Sequence, residues 1–192
     1  MSAAEAKAAL RARLRERRAA RDEAARAEAG ARLAEHAAAL GTDTVAAFVG
    51  TKTEPPTLPL LAAVRDRGGR VLLPVLREDM DLEWAAFTSA QALRPARLGL
   101  LEPAGPSLGL EAVRDAALVL APALAVDTAG RRLGQGGGSY DRALERSDAP
   151  VVAIVFDEEV LDEEVPVEPH DRPVAGVLTP RGGLRWLTGP PP

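Results

Sequence analysis

Residues 117–146, ALVLAPALAVDTAGRRLGQGGGSYDRALER, constrain the fold more than any other stretch of this chain. The apolar run over 118–124 reads as a buried strand. A turn follows at Asp127-Thr128-Ala129-Gly130, then Arg131 and Arg132, then Gly134, Gly136, Gly137 and Gly138, with a helix expected from Ser139 onward. Glycine tolerates backbone angles that other residues resist, and it leaves amide N–H groups uncovered. A helix N-terminus adds further donors and partial positive charge. Such a combination suits an anion, most often phosphate. A tight strand-to-helix connection without any ligand explains a bare glycine cluster equally well. The adjoining Arg132 and Asp141 favour a phosphate and metal site.

The chain has 192 residues, enough for a single domain over 1–192 with a real core. It has no cysteine, which excludes disulfides and thiolate metal sites and fits a reducing cytoplasm. With only His36 and His170, a histidine-rich zinc centre is excluded as well. Nothing approaches the roughly 18 apolar residues of a membrane span. A net charge of −4 points to neither nucleic acid nor an anionic membrane. Charge is unevenly spread, with arginines crowding the first forty residues and acids crowding 157–171. Lys7 and Lys52 are the only lysines in a chain rich in Ala, Arg, Gly and Pro, which marks both for attention.

In chain order, 3–40 reads as helix, interrupted near Gly30. Leu10 and Leu14 form a narrow apolar stripe, and Lys7 and Arg11, one turn apart, can direct their charges to one point. A solvated charged face is the alternative. Residues 44–49 read as a strand, followed by a loop holding Lys52 and Glu54 ahead of Pro55 and Pro56. Loops just past strand ends are where α/β proteins place binding residues, which makes Glu54 a candidate contact; it could equally be a first-turn acid of the next helix. A helix over 58–67, a strand over 70–76 and a strand over 82–87 follow, with Trp84 and Phe87 assigned to the core. Residues 88–116 resist assignment, and 102–106 reads as irregular. After the glycine loop come a helix over 139–146, a fully apolar strand over 151–156 and an acidic helix or turn over 157–164. An extended loop then holds His170 and Asp171, a last strand covers 174–179, and a frayed tail begins at Pro180. Alternating strands and helices predict a three-layer α/β domain with a largely parallel central sheet and an N-terminal helix.

Familiar motifs fail at the glycine loop. A P-loop needs lysine after its last glycine, and Ser139 stands there. A dinucleotide fingerprint lacks its third glycine, and the loop begins ten residues past Leu124. A nucleophile elbow needs glycine where Asp141 stands, which leaves a Ser139–His170 hydrolase pair without support. The remaining reading has backbone amides from Leu133 to Ser139 and the Arg132 fork holding phosphates. Asp141 and Asp171 would hold magnesium beside them.

The run Asp127-x-x-Gly130-x-Arg132-Leu133-Gly134-x-Gly136-x-Gly138-x-Tyr140-Asp141 resembles the signature of the 5-formyltetrahydrofolate cyclo-ligase family, also called 5,10-methenyltetrahydrofolate synthetases. Lys7-Ala8-Ala9-Leu10-Arg11 is similar to its N-terminal nucleotide-contacting motif, and Glu54 to its folate-contacting acid. Leu101-Glu102-Pro103 and Pro166-x-Glu168-x-His170-Asp171 fall in matching order. One departure stands out: the family's usual first tyrosine is replaced by Ser139. The resemblance implies an ATP- and Mg2+-dependent conversion of 5-formyltetrahydrofolate to 5,10-methenyltetrahydrofolate, with release of ADP and phosphate. It implies ATP contacts at Lys7, Ala8, Ala9, Leu10, Arg11, Arg132, Leu133, Gly134, Gln135, Gly136, Gly137, Gly138, Ser139 and Tyr140. Folate contacts are implied at Val49, Glu54, Gln135, Gly136, Gly137, Gly138 and Ser139. It implies Mg2+ at Asp141 and Asp171, and catalytic parts for Arg132, Asp141 and Lys7. A cytoplasmic monomer acting on small molecules, with neither nucleic acid nor membrane as partner, is the corresponding expectation. The rival readings are another nucleotide or phosphosugar enzyme on a similar scaffold, or a non-catalytic protein whose N-terminal helix binds a partner.

Overall fold

The computed structural model describes residues 2–41, 43–168 and 171–189. His170 and the last three residues of the tail that begins at Pro180 lie outside the described residues.

Two helices, α1 (Ala3–Ala19) and α2 (Glu23–Glu35), replace the one expected over 3–40. The break falls at residues 20–22 rather than at Gly30. Asp22 caps α2 by accepting from the Ala25 amide at 2.7 Å, which restarts the helix there. Gly30 is buried inside α2, where an added Cβ would meet Pro56 at 3.2 Å, so it serves close packing rather than a break. Ser2 and Glu5 close a reciprocal capping box at the start of α1.

The remaining elements are β1 (Thr44–Ala46), α3 (Leu58–Asp66), β2 (Arg70–Leu76), β3 (Leu82–Ala86), β4 (Leu93–Pro95), β5 (Leu101–Pro103), β6 (Leu118–Pro122), β7 (Ala125–Asp127), β8 (Arg132–Leu133), α4 (Ser139–Leu144), β9 (Val151–Ile154), β10 (Val160–Leu161), β11 (Gly176–Thr179) and β12 (Gly183–Trp186). The main sheet has seven strands in the order β12-β11-β9-β6-β1-β2-β3. Its inner strands run parallel, and β3 and β12 close the two edges antiparallel.

Several expectations change. The unassigned 88–116 region contains the β4–β5 hairpin, so Glu102 and Pro103 are in a strand rather than irregular. The run over 118–124 ends as a strand at Pro122, and the Leu124 amide turns to the Leu133 carbonyl at 2.8 Å, in a second, three-stranded sheet ordered β10-β7-β8. The acidic 157–164 segment is one short 3-10 turn followed by β10. The tail expected to fray after Pro180 instead turns at Gly183 and returns as β12, pairing with β11.

Alternation along the parallel strands divides the core. Val45, Val71, Leu73, Leu118, Leu120, Val152 and Ile154 face α2 and α3, meeting Leu33, Leu60, Leu61 and Val64. Ala46, Leu72 and Val119 face the other way, toward Val113 and the Ala143–Leu144 end of α4. These two faces give the three layers expected from the strand-helix alternation. Helix α1 packs elsewhere: Leu10 and Leu14 sit on the small sheet against Leu124, Ala125, Leu133 and Leu161. The apolar stripe expected on this helix is therefore what docks it beside the glycine loop. Among the described residues no helix is long and apolar enough to cross a membrane.

Candidate active site

The carboxyl ends of β1, β2 and β6 border a cleft of about 690 Å3, lined there by Phe48, Val49, Leu76 and Pro122. In open α/β sheets, ligands gather beyond those strand ends. Its floor and walls also take in Arg132, Gly134, Gln135, Gly136, Gly137, Gly138, Ser139, Tyr140 and Asp141, with Glu54 opposite.

The glycine loop is pinned from behind by α1. Arg11 Nε donates to the Gly134 carbonyl at 2.9 Å, and Arg15 Nη2 donates to the Gln135 carbonyl at 2.8 Å. In a trans peptide the carbonyl and the next N–H point opposite ways. Both contacts therefore turn the amides of Gln135 and Gly136 away from α1. Among the described residues the amides of 135–138 donate to no acceptor. Gly136 and Gly138 hold φ of 104° and 68°, a conformation that favours glycine. The result is a short row of unused donors, the chemistry of an anion cradle.

Arg132 is buried. Its Nη1 donates to the Pro122 carbonyl at 3.2 Å and its Nη2 pairs with Asp141. Among the described residues its Nε is buried without an acceptor. Glu54 is only 5 % exposed. Its Oε2 accepts from the Thr51 amide and hydroxyl, both at 2.9 Å, and its Oε1 from Gln135 Nε2 at 3.0 Å. It is thus a loop acid facing the cleft, not a first-turn acid of α3. Thr57 shapes that loop by donating to the Phe48 carbonyl at 2.6 Å while accepting from the Gly50 amide at 2.9 Å. The Tyr140 hydroxyl lies 3.5 Å from the Ala47 carbonyl. Burial pushes its phenol well above the ordinary range, and Glu54 adds to the effect.

Other expected residues stand behind the cleft. Lys7 is buried, and its ammonium pairs with Glu168 at 2.7 Å and with Asp171. Burial alone would lower the lysine pKa, but the two carboxylates more than offset this and raise it. Lys7 and Arg11 therefore do not converge on one point: one serves Glu168 and Asp171, the other the Gly134 carbonyl. Ala8 and Ala9 are exposed on α1, while Leu10 and Leu133 are core. Asp141 and Asp171 are held by different cations, Arg132 and Lys7. Among the described residues no group of three or more metal-ligating side chains is gathered. Lys52 is exposed, in keeping with a solvated residue.

Some of the cleft was not anticipated. Arg15 continues the Lys7–Arg11 spacing by one more turn and, unlike either, lines the cleft. Met80 and the β4–β5 hairpin contribute apolar wall through Leu98, Leu100 and Leu101, and Glu102 ties the hairpin to β2 by accepting from the Leu76 amide at 2.9 Å.

The family model described as the 5-formyltetrahydrofolate cyclo-ligase family matches residues 3–180. The chain belongs to the 5-formyltetrahydrofolate cyclo-ligase family. Among curated relatives, the 5-formyltetrahydrofolate cyclo-ligase of Mycolicibacterium smegmatis is 44% identical over 148 residues, 73% of this chain and 75% of that protein. The Escherichia coli K12 cyclo-ligase is 32% identical over 148 residues, 74% of this chain and 81% of that protein. The solution structure of Aquifex aeolicus 5,10-methenyltetrahydrofolate synthetase superposes with a TM-score of 0.80 at 25% identity, over 97% of this chain and 95% of that one. The Mycoplasma pneumoniae synthetase shares the fold, with a TM-score of 0.69 at 17% identity over 89% and 96% of the two chains. Family membership makes this chain an enzyme of the cyclo-ligase class. The matched span runs from α1 through β11, so it includes the glycine loop, Glu54 and the helix that braces them.

Proposed function

We propose that this chain converts 5-formyltetrahydrofolate to 5,10-methenyltetrahydrofolate, consuming ATP and releasing ADP and phosphate. One observation carries the reading: a row of unused loop amides and the buried Glu54 carboxylate share one cleft. The first suits a polyphosphate. The second suits a pterin, whose amino and ring N–H groups can both donate to a carboxylate.

The formyl oxygen attacks the γ-phosphorus and ADP departs. N10 then adds to the activated carbon and loses its proton, and the carbon–oxygen bond breaks as phosphate leaves with the oxygen. An amide oxygen is a weak nucleophile and hydroxide a poor leaving group, so phosphorylation makes the oxygen able to depart. The chain's task is chiefly positioning and charge stabilisation. The open amides of 135–138, within the Leu133–Ser139 run, hold the phosphates, and Arg132 adds its positive charge beside them. The segment from Lys7 to Arg11 braces the nucleotide side, with Arg11 fixing the loop at Gly134 and Lys7, paired with Glu168 and Asp171, adding positive charge behind it. Val49 and Glu54 orient the pterin against residues 135–139. Ser139 leaves room where a bulkier side chain would stand.

Asp141 fits a magnesium ion: it is a partly exposed cleft carboxylate beside the donor row, and one or two carboxylates with phosphate and water suffice. Asp171 would be its second carboxylate. When bound, the ion supplies positive charge that offsets the phosphates. We place the activity in a single domain over 1–192, acting as a cytoplasmic monomer without nucleic-acid or membrane partners. The rival in which α1 is a partner surface loses ground because Lys7, Arg11, Arg15 and Arg18 each donate to a group inside the chain.

Mixing the protein with ATP, Mg2+ and 5-formyltetrahydrofolate should produce the methenyl chromophore, and leaving out ATP should abolish it. ATP hydrolysis indifferent to the folate would instead favour a different nucleotide enzyme.

A further inference from the structure

The Gln135 side chain is engaged at both ends. Its Nε2 donates to Glu54 Oε1 at 3.0 Å, and its Oε1 lies 3.3 Å from Arg15 Nη2. A carboxylate only accepts and a guanidinium only donates, so the orientation of the amide is fixed by its neighbours. Arg15 also donates to the Gln135 backbone carbonyl at 2.8 Å, and among the described residues it has no carboxylate partner. It is the cation of α1 committed to this one loop residue.

Glu54 Oε2 already accepts two donors from Thr51, whereas among the described residues Oε1 accepts only from Gln135. A carboxylate oxygen offers about two lone-pair sites. The open one is on the oxygen that Gln135 holds. An incoming N–H donor therefore meets Glu54 at the atom whose direction Gln135 sets.

We propose that Gln135, held by Arg15, is a positioning residue for the folate: it fixes the Glu54 carboxylate and couples it to the glycine loop. This rests on the folate reading of the cleft. The side chain serves the pterin side while its own backbone belongs to the phosphate-binding loop, so one residue links both half-sites. Neither Gln135 nor Arg15 needs to touch a reacting atom for this.

Two variants separate the side chain from the loop. Gln135→Ala removes both contacts. Gln135→Glu keeps the size and the Arg15 contact but sets a carboxylate against Glu54. Gln135→Ala should raise the KM for 5-formyltetrahydrofolate roughly tenfold while the KM for ATP stays within about twofold. Gln135→Glu should raise the folate KM further, with the same split. Gln135 is exposed, so both variants should melt with the unsubstituted protein; if Gln135→Glu fails to fold, Gln135→Ala still decides. An unchanged folate KM in Gln135→Ala, or ATP and folate KM rising in parallel, would overturn the proposal. Absence of ATP-dependent turnover in the unsubstituted protein would overturn the folate reading itself, and the coupling with it.

Discussion

Glu54 is held by its neighbours at both carboxylate oxygens. Thr51 and Gln135 present three donors to its two oxygens. In Glu54→Gln one amide N–H must face an existing donor, and the negative charge for the pterin is lost. We expect the folate KM to rise on the order of 10- to 100-fold in steady-state assays, with little change in ATP affinity. Asp141→Asn keeps an oxygen for Arg132 but removes the charge proposed to hold magnesium. Turnover should fall about 100-fold or more while the circular-dichroism melt stays close to that of the parent. Nearly full activity would sink the metal role. These residues were legible in sequence because one sits in the loop past a strand and the other in the first helical turn after the glycine loop. Arg15 was not. An arginine stripe on a helix is usually a solvated face, and its partner lies 120 residues away.

At the level of elements, α1 is bound to the small sheet by Leu10, Leu14 and a buried ion pair. Arg18 Nε and Nη2 meet the two Glu159 oxygens, each at 2.7 Å, and Nη2 also donates to the Ala123 carbonyl at 2.6 Å. Glu159→Gln leaves a buried guanidinium without its counter-charge and should lower unfolding free energy by about 3–5 kcal/mol in urea titrations. Asp127 performs a similar task for the β7–β8 turn. Its oxygens accept from the amides of Ala129, Arg131 and Val165 and from Arg131 Nε. Burial would raise this carboxyl, but the donors outweigh it and hold its pKa below the ordinary 3.8. A depressed acid stabilises the fold above its unfolded pKa and loses that contribution as pH falls through the folded value. The stability gap between the parent and Asp127→Asn should therefore be full at neutral pH and narrow below about pH 4, as read by denaturant titration across pH. A gap independent of pH would contradict this. The turn at 127–130 and the strand over 70–76 were readable from local chemistry. The edge strand β12 and the β4–β5 hairpin were not, because their pairing depends on distant partners rather than on apolar alternation.

At the scale of the whole molecule, β1 lies between β6 and β2, and the three ends together open the cleft. The alternation of strands and helices made that parallel sheet foreseeable. The second sheet was not, since Pro122 divides what reads as one apolar run, and its second half pairs elsewhere. Trp84 is fully buried in the core and Trp186 lies on β12 at the far edge. If one cooperative unit spans the chain, tryptophan fluorescence and far-UV circular dichroism should report coincident unfolding transitions; two separated midpoints would argue for independent units. The most direct test of the chemistry is the fate of the formyl oxygen. With 5-formyltetrahydrofolate carrying 18O in the formyl group, ATP-dependent turnover should deliver the label to inorganic phosphate, one atom for each methenyl product formed. Label released to water, with unlabelled phosphate, would contradict phosphorylation of that oxygen in this cleft.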